Sequence, residues 1–137
     1  MPPKRRRRRH YKTGVHVSPK CSKPIEYRSG WELVVCKWLD INPEVEAYAY
    51  EAVIIPYKLN PNSSKVRKYF PDFFVKFKDG TKLIVEVKRD DRIQNVGVQK
   101  KAAAAAAWCA AHGFIYQIWG KNHVIRLQSL TEQAKVS

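Results

Sequence analysis

Two acids and a lysine flank a tight turn in the sequence. Asp72 stands in "KYFPDFF" before the turn, and Glu86 and Lys88 stand in "LIVEVKR" after it. Side chains alternate between the faces of a strand, so Glu86 and Lys88 share one face. Carboxylates on adjacent strands, together with waters and a phosphate oxygen, are ligands that suit Mg²⁺. Such a metal polarises a phosphodiester and activates a bound water, which Lys88 is placed to orient. The alternative is a surface hairpin with a solvated Glu86–Lys88 pair.

The turn decides whether Asp72 and Glu86 face the same way. A two-residue loop would oppose Asp72 to a residue of the wrong face. A three-residue loop, Lys78-Asp79-Gly80, opposes it to Glu86 when Gly80 is left-handed. Opposed carboxylates repel each other at a cost of up to about 1 kcal/mol, which a bound cation removes. We therefore predict the three-residue loop.

Periodicity and turn signals indicate the elements that must position these residues. Apolar residues recur at helical spacing after Ser29 until Pro43 stops the helix, and Gly113 closes an alanine-rich helix. We predict an α/β fold with an αβββαβ core, in which helices flank a mixed sheet. The predicted segments are a helix over 29–41, extended segments Val45–Tyr50 and Val53–Tyr57, strands Phe70–Lys78 and Thr81–Lys88, a helix Val98–His112, a buried strand over 114–119 and a short last element Val124–Leu127.

The charge is concentrated at one end of the chain. The formal net charge is +14, and the first twelve residues carry seven of the basic side chains. We predict a flexible basic arm over residues 1–25, a folded domain over 26–128 and a loose tail over 129–137. A basic arm on a basic body favours nucleic acid as the partner. The alternative for the arm alone is a solubilising tail or a localisation signal.

Composition excludes several classes of protein. No stretch reaches 18 apolar residues, so we expect no membrane span. No apolar run follows the basic start, so we expect no secretory signal. Cys21, Cys36 and Cys109 lack metal-type spacing and indicate reduced thiols in a cytosolic protein.

The joint pattern of "PDF" before the turn and "VEVK" after it resembles the signature of the PD-(D/E)xK nuclease superfamily, which has the restriction-endonuclease-like fold. Within it, the chain resembles the N-terminal catalytic domain of TnsA transposition endonucleases and the head-completion nucleases of tailed phages. The resemblance runs from about Tyr27 to Val124. It includes "YRSGWE", "NPEVEAYAYEAVIIPY", "RKYFPDFFVKFKDG", "LIVEVK" and "KAAAAAAWCAAHGFIYQIW".

The resemblance implies a set of site residues. Asp72 and Glu86 would bind Mg²⁺, for which Mn²⁺ would substitute, and the Val87 carbonyl would be a third ligand. Glu32 would complete the site as a ligand or as an acid that orients metal or water. Its alternative is structural, because Ser29-Gly30-Trp31-Glu32 is also a capping box. Gln99 is a candidate site-facing residue, with a solvated helix position as its alternative.

Basic residues around the motif and in the arm are candidate DNA contacts. They are Arg5, Arg6, Arg7, Arg8, Arg9, Lys65, Arg67, Lys68, Arg89 and Arg92. Each alone has a solvated base as its alternative. We expect the arm to raise affinity without reading sequence, so binding should weaken steeply with salt.

These features indicate a Mg²⁺-dependent DNA endonuclease, and the resemblance implies cleavage to a 5′-phosphate and a 3′-hydroxyl. The favoured role is phage-type head completion or DNA-end processing, in the host cytoplasm or the virion. Capsid, portal or transposition proteins and a second copy of the chain are candidate partners. The alternatives are a Holliday-junction resolvase, a transposition endonuclease, an inactive DNA-binding structural protein and a basic RNA-binding protein. For the last, the sequence shows no exposed aromatic stacking platform.

Overall fold

The computed structural model describes residues 12–89 and 95–136. Eleven helices and strands follow one another in these residues. They are β1 (Gly14–His16), β2 (Ile25–Tyr27), α1 (Gly30–Ile41), β3 (Val45–Tyr50), β4 (Ile55–Tyr57), β5 (Arg67–Tyr69), β6 (Phe73–Phe77), β7 (Lys82–Val87), α2 (Val96–Ala111), β8 (Ile115–Trp119) and α3 (Lys121–Val136).

A four-stranded mixed sheet forms the centre of the fold. Its strands lie in the order β3-β6-β7-β8. Strand β6 is antiparallel to both β3 and β7, and β8 is parallel to β7. Since α1 precedes β3 and α2 precedes β8, the core reads αβββαβ. The predicted α/β, restriction-endonuclease-like class is therefore confirmed. Strands β4 and β5 pair as a separate two-stranded ribbon, and β1 pairs with β2.

Two hydrophobic clusters cover the two faces of the sheet. Val85 of β7 belongs to the cluster that includes buried side chains of α1 and α3, among them Leu39 and Leu127. Ile84 of β7 belongs to the other cluster, which includes α2 and the β4–β5 ribbon. Because side chains alternate along a strand, Glu86 faces the α2 layer, as Ile84 does.

The hairpin between β6 and β7 has the predicted three-residue loop. The Phe77 N–H donates to the Thr81 carbonyl at 2.9 Å, which closes the ladder around residues 78–80. Gly80 has φ +92°, a left-handed conformation that a side chain would strain. The ladder pairs Phe73 with Val85, so its next pair opposes Asp72 to Glu86. The predicted register is confirmed.

Helix α1 begins one residue after its predicted start, with Ser29 as its N-cap, and ends at Ile41 as predicted, whereas α2 starts earlier than predicted. Asn95 caps α2, since its side-chain oxygen accepts from the N–H groups of Gly97 and Val98. The helix therefore begins at Val96 rather than at Val98. Gly113, with φ +79°, follows its C-terminal end as expected.

The predicted buried strand over 114–119 is an edge strand, so that prediction was wrong. β8 pairs only with β7 in the described sheet, and Trp119 is its one buried residue. Ile115 is 49% exposed. The predicted strand Phe70–Lys78 also begins later, at Phe73, because residues 67–69 pair with β4 instead of continuing into the sheet.

The short last element and loose tail were also wrong, because α3 is a 16-residue helix that reaches Val136. Val124, Leu127 and Thr131 recur at helical spacing and are buried. The hydroxyl of Thr131 donates to the Leu127 carbonyl at 2.8 Å, so a polar side chain is satisfied within the helix. No helix in the described residues is long and apolar enough to span a membrane.

Part of the predicted arm is folded. Residues 16–20 pack on the C-terminal half of α1, where His16 and Ser18 both contact the Asp40 carboxylate. The Lys20 ammonium donates to the carbonyls of Leu39 and Asn42 at 2.8 Å each, at the negative end of the helix. The expectation of a flexible arm therefore does not hold for residues 12–25, and residues 1–11 lie outside the described part of the chain.

Replacing Leu127 by alanine should lower the free energy of unfolding by about 2–4 kcal/mol, because the truncated side chain leaves a cavity in the core. Leu130→Ala is the matched control, since Leu130 on the same helix is 40% exposed. The control should cost less than about 1 kcal/mol. Urea unfolding followed by circular dichroism measures both values. Equal losses would contradict the described packing of α3.

Candidate functional site

Asp72 and Glu86 meet at one end of the central sheet. Asp72 directly precedes β6, and Glu86 is the penultimate residue of β7. Both are buried, with exposed fractions of 7% and 8%. The Val87 N–H donates to Asp72 Oδ2 at 2.8 Å and so ties this carboxylate to the neighbouring strand. The structure therefore brings together the two acids on which the sequence prediction rests.

Burial and repulsion change the protonation of Asp72. Burial is the main cause that raises the pKa of Asp72 to about 8, and the charge of Glu86 raises it as well. The Val87 N–H and the Lys88 charge act in the opposite direction. A carboxyl group with a pKa near 8 holds a proton in most molecules at neutral pH.

Both oxygens of Glu86 have partners. The Tyr69 hydroxyl donates to Oε1 at 2.7 Å, and the Lys88 ammonium lies 3.3 Å from Oε2. The Tyr116 hydroxyl lies 2.9 Å from that of Tyr69. Since Tyr69 donates its proton to Glu86, Tyr116 is the donor in this second bond. Burial raises the pKa of both tyrosines, so both hydroxyl protons remain in place. The two tyrosines and the lysine fix the orientation of the Glu86 carboxylate.

Glu32 lies at the start of α1, in the layer on the other face of the sheet. Its N–H donates to the Ser29 hydroxyl at 3.2 Å, and its Oε1 accepts from the Arg28 N–H and the Tyr50 hydroxyl, at 2.8 Å each. These are the bonds of a capping arrangement, with the backbone partner one residue before the cap. Yet Glu32 is only 7% exposed, and its charge contributes to the raised pKa of Asp72. Glu32 therefore caps the helix and also acts electrostatically on the acid pair.

A cleft of about 500 Å³ opens over the acid pair. Its lining alternates acids, bases and aromatic rings. The lining residues are Arg28, Glu51, Tyr57, Lys68, Tyr69, Phe70, Asp72, Glu86 and Lys101. The Lys101 ammonium lies 4.7 Å from the centre of the Tyr69 ring, which anchors α2 to the cleft through a cation–π contact. Such a basic and aromatic surface suits a phosphate-bearing polymer.

Glu51 adopts a left-handed backbone at the wall of the cleft. Its φ is +52°, a conformation that costs free energy in a residue with a side chain. Its N–H donates to the Asp72 carbonyl at 2.9 Å, and its carboxylate is paired with the Arg28 guanidinium. Arg28 also donates to the Tyr50 hydroxyl. The turn at Glu51 thus fixes the backbone of Asp72 and links it to the start of α1.

The structure separates the other predicted site residues. Gln99 is exposed and does not line the cleft, which Lys101 lines from the same helix. Of the candidate DNA contacts, Lys68 lines the cleft. Lys65, Arg67 and Arg89 are exposed and do not line it. Arg5, Arg6, Arg7, Arg8, Arg9 and Arg92 lie outside the described residues. The sequence reasoning missed Arg28, although "YRSGWE" was singled out, and it missed Lys101 in "QKK".

The donor set at the sheet end matches the requirements of a hard divalent cation. Asp72 and Glu86 supply carboxylate oxygens whose repulsion a cation would relieve. In residues 12–89 and 95–136, no cluster of three or more acidic, histidine or cysteine side chains could hold a metal. The two carboxylates therefore suit a cation that needs only two such ligands and completes its coordination shell with backbone, water and phosphate oxygens, as Mg²⁺ commonly does.

The acid pair lies where the sequence pattern predicts it, and comparison with known proteins identifies the family. The model of the TnsA-like endonuclease N-terminal family matches residues 42–119, more than half of the chain. The chain belongs to the TnsA-like endonuclease family. The matched residues include Asp72, Glu86, Val87 and Lys88, whereas Glu32 precedes them.

A phage protein is also similar to this chain. The head completion nuclease of Enterobacteria phage T4 is 42% identical over 66 residues, which make up 48% of this chain and 43% of that protein. The aligned part therefore spans less than half the length of that relative.

Asp72→Asn should make the fold less sensitive to pH. The pKa of Asp72 is about 8 in the folded protein and about 3.8 in the unfolded chain, where burial and the Glu86 charge no longer act on it. Its stabilising contribution is therefore full below about pH 4 and is lost as the pH rises towards about 8. In EDTA, the variant should gain stability over the wild type as the pH rises from 5 to about 8, by up to about 1.4 kcal/mol per pH unit, and the gain should level off above pH 8. Urea unfolding at several pH values measures this gain.

Asp79→Asn is the control for that titration. Asp79 lies in the turn of the same hairpin, and its hydrogen bonds to Thr81 lower its pKa below the usual value. It is ionised throughout this pH range, so its replacement should shift stability by the same amount at every pH. A constant offset for Asp72→Asn as well would contradict the raised pKa.

Proposed function

We propose that this chain is a Mg²⁺-dependent DNA endonuclease that hydrolyses phosphodiester bonds at the Asp72–Glu86 site. The observation that carries the proposal is the pair of buried carboxylates, opposed on one face of the sheet under a cleft with basic walls. A structural hairpin would gain nothing from burying two acids side by side. Membership of an endonuclease family supports the same conclusion.

Asp72, Glu86 and the Val87 carbonyl would hold the metal. When bound, Mg²⁺ supplies Lewis-acid polarisation of the phosphodiester and lowers the pKa of a coordinated water. Lys88, held 3.3 Å from Glu86 Oε2, orients the attacking water and stabilises negative charge that develops on the phosphate. Glu32, whose charge acts on Asp72 from the start of α1, would orient metal or water at the edge of this site.

The cleft walls bind the flanking phosphates. Three basic side chains line the cleft from different elements. Arg28 lies just before α1, Lys68 belongs to the β4–β5 ribbon, and Lys101 belongs to α2. Their positive charges offset the repulsion between the two acids and the DNA phosphates. They would position the DNA strand without reading its sequence. The basic arm, Arg5 to Arg9, adds affinity from outside the described residues.

The setting that fits best is phage-type head completion or processing of DNA ends. The T4 relative bears the name head completion nuclease, and the similarity to it supports this assignment. In that setting the chain acts in the host cytoplasm or in the virion, with capsid or portal proteins as candidate partners. A transposition endonuclease is the second candidate, which membership of the TnsA-like family favours, and a Holliday-junction resolvase is the remaining enzymatic alternative.

Plasmid nicking tests the proposal. The wild type should nick supercoiled plasmid in Mg²⁺ and not in EDTA. Asp72→Asn should lower the rate at least about a hundredfold, because a lost metal ligand removes several kcal/mol of transition-state stabilisation. Asp79→Asn, on the same hairpin but outside the cleft, is the matched control and should nick at the wild-type rate.

Full activity in Asp72→Asn would exclude the proposed site. Tight DNA binding by a wild type that never nicks would instead favour the inactive structural protein. Branched and linear DNA in the same assay separate a resolvase from an end-processing nuclease.

Tyr69→Phe should weaken the dependence on metal without removing the ligands. The variant loses the 2.7 Å bond that orients Glu86, so the Mg²⁺ concentration for half-maximal nicking should rise about 10- to 100-fold. Tyr57→Phe is the matched control, since Tyr57 lines the same cleft but its hydroxyl makes no hydrogen bond to Asp72 or Glu86. An unchanged Mg²⁺ requirement in Tyr69→Phe would show that the hydroxyl does not position Glu86.

A further inference from the structure

Phe70 places an exposed aromatic ring at the edge of the cleft. The residue is 46% exposed and lines the same cleft as Asp72 and Glu86. Its neighbours behave differently, because Tyr69 and Phe73 are buried in the two hydrophobic clusters. Among the described residues, Phe70 belongs to neither cluster. A large apolar ring in water beside two acids indicates a contact with something outside the chain.

The backbone on both sides of Phe70 is fixed. Pro71 is fully buried, and a residue before proline is confined to extended conformations. Tyr69 is held by burial and by its bond to Glu86. The Asp72 carbonyl accepts from Glu51 at 2.9 Å. The backbone that carries the ring is therefore set before any ligand arrives, which lowers the entropy lost on binding.

The surroundings of the ring match a surface that binds unpaired nucleotides. Lys68 lies two residues away and lines the cleft with Arg28 and Lys101. Cations that follow a backbone and an aromatic ring that stacks on a base are the usual combination in single-strand binding. In an intact duplex each base face is covered by its neighbours, so an unpaired base or a strand end is what offers a free face.

We propose that Phe70 stacks on an unpaired base and gives the site a preference for DNA with a free nucleotide next to the scissile phosphate, such as a fork, a gap or a frayed end. The inference rests on the proposed endonuclease function and names its substrate class. It agrees with end processing more than with cleavage inside a continuous duplex.

Fluorescence of 2-aminopurine tests the stacking without requiring cleavage. The probe is a forked DNA with one unpaired 2-aminopurine at the junction, and EDTA is present. Wild type should quench the fluorescence on binding, because 2-aminopurine loses emission when its ring stacks on another aromatic ring. Phe70→Leu, which keeps the apolar bulk, and Phe70→Ala should both lose most of the quenching, and Phe70→Trp should keep it. Thermal unfolding shows whether each variant is folded.

Val66→Ala is the matched control. Val66 precedes the same strand of the ribbon and is 54% exposed, yet it does not line the cleft. Its replacement should leave the quenching and the cleavage of both DNAs unchanged.

Cleavage in Mg²⁺ gives the second readout. Wild type should cut the fork about tenfold faster than a fully paired duplex of the same sequence, and the ratio should fall towards one in Phe70→Leu and Phe70→Ala. If both DNAs are cut and neither readout depends on Phe70, the stacking role is overturned and the endonuclease remains. If quenching depends on Phe70 but neither DNA is cut, the stacking role is supported and the endonuclease is overturned.

Discussion

The repulsion between two buried carboxylates is the constraint around which this structure is organised. The hairpin register opposes Asp72 to Glu86, and burial prevents water from screening the two charges. In the absence of a cation, burial and the Glu86 charge raise the pKa of Asp72 to about 8, so Asp72 retains a proton at neutral pH. A cation at this point would have to displace that proton. Its affinity for the site would therefore increase with pH.

The surrounding elements keep the acids in place in spite of this repulsion. The ribbon supplies Tyr69 to Glu86, β7 supplies the Val87 N–H to Asp72, and the turn after β3 supplies the Glu51 N–H to the Asp72 carbonyl. Each contact comes from a different segment of the chain. A site that depends on so many segments forms only when the whole domain is folded, which is how a small protein can hold its reactive groups rigidly.

The sequence allowed the hairpin and its register to be predicted because local chemistry determines both. Gly80 favours the left-handed turn, which sets the loop length and therefore the register. The alternation of side chains along each strand then places Asp72 and Glu86 on the same face. Long-range packing was harder to predict from the sequence. The exposure of β8 depends on its being at the edge of the sheet, and α3 was missed because buried Thr131 interrupts its apolar stripe. Helix α2 brings Lys101 rather than Gln99 to the cleft, and helical rotation relative to a sheet leaves no clear mark in a sequence rich in alanine.

The left-handed turn at Glu51 has a consequence for the evolution of this domain. A strained backbone and a pair of buried acids both lower stability where the chemistry is proposed, and the two hydrophobic clusters must compensate from a distance. Selection for thermal resistance alone would therefore favour glycine at position 51 and an amide at position 72. Conservation of Glu51 and Asp72 within a lineage would therefore indicate selection for a function at this site rather than for stability alone.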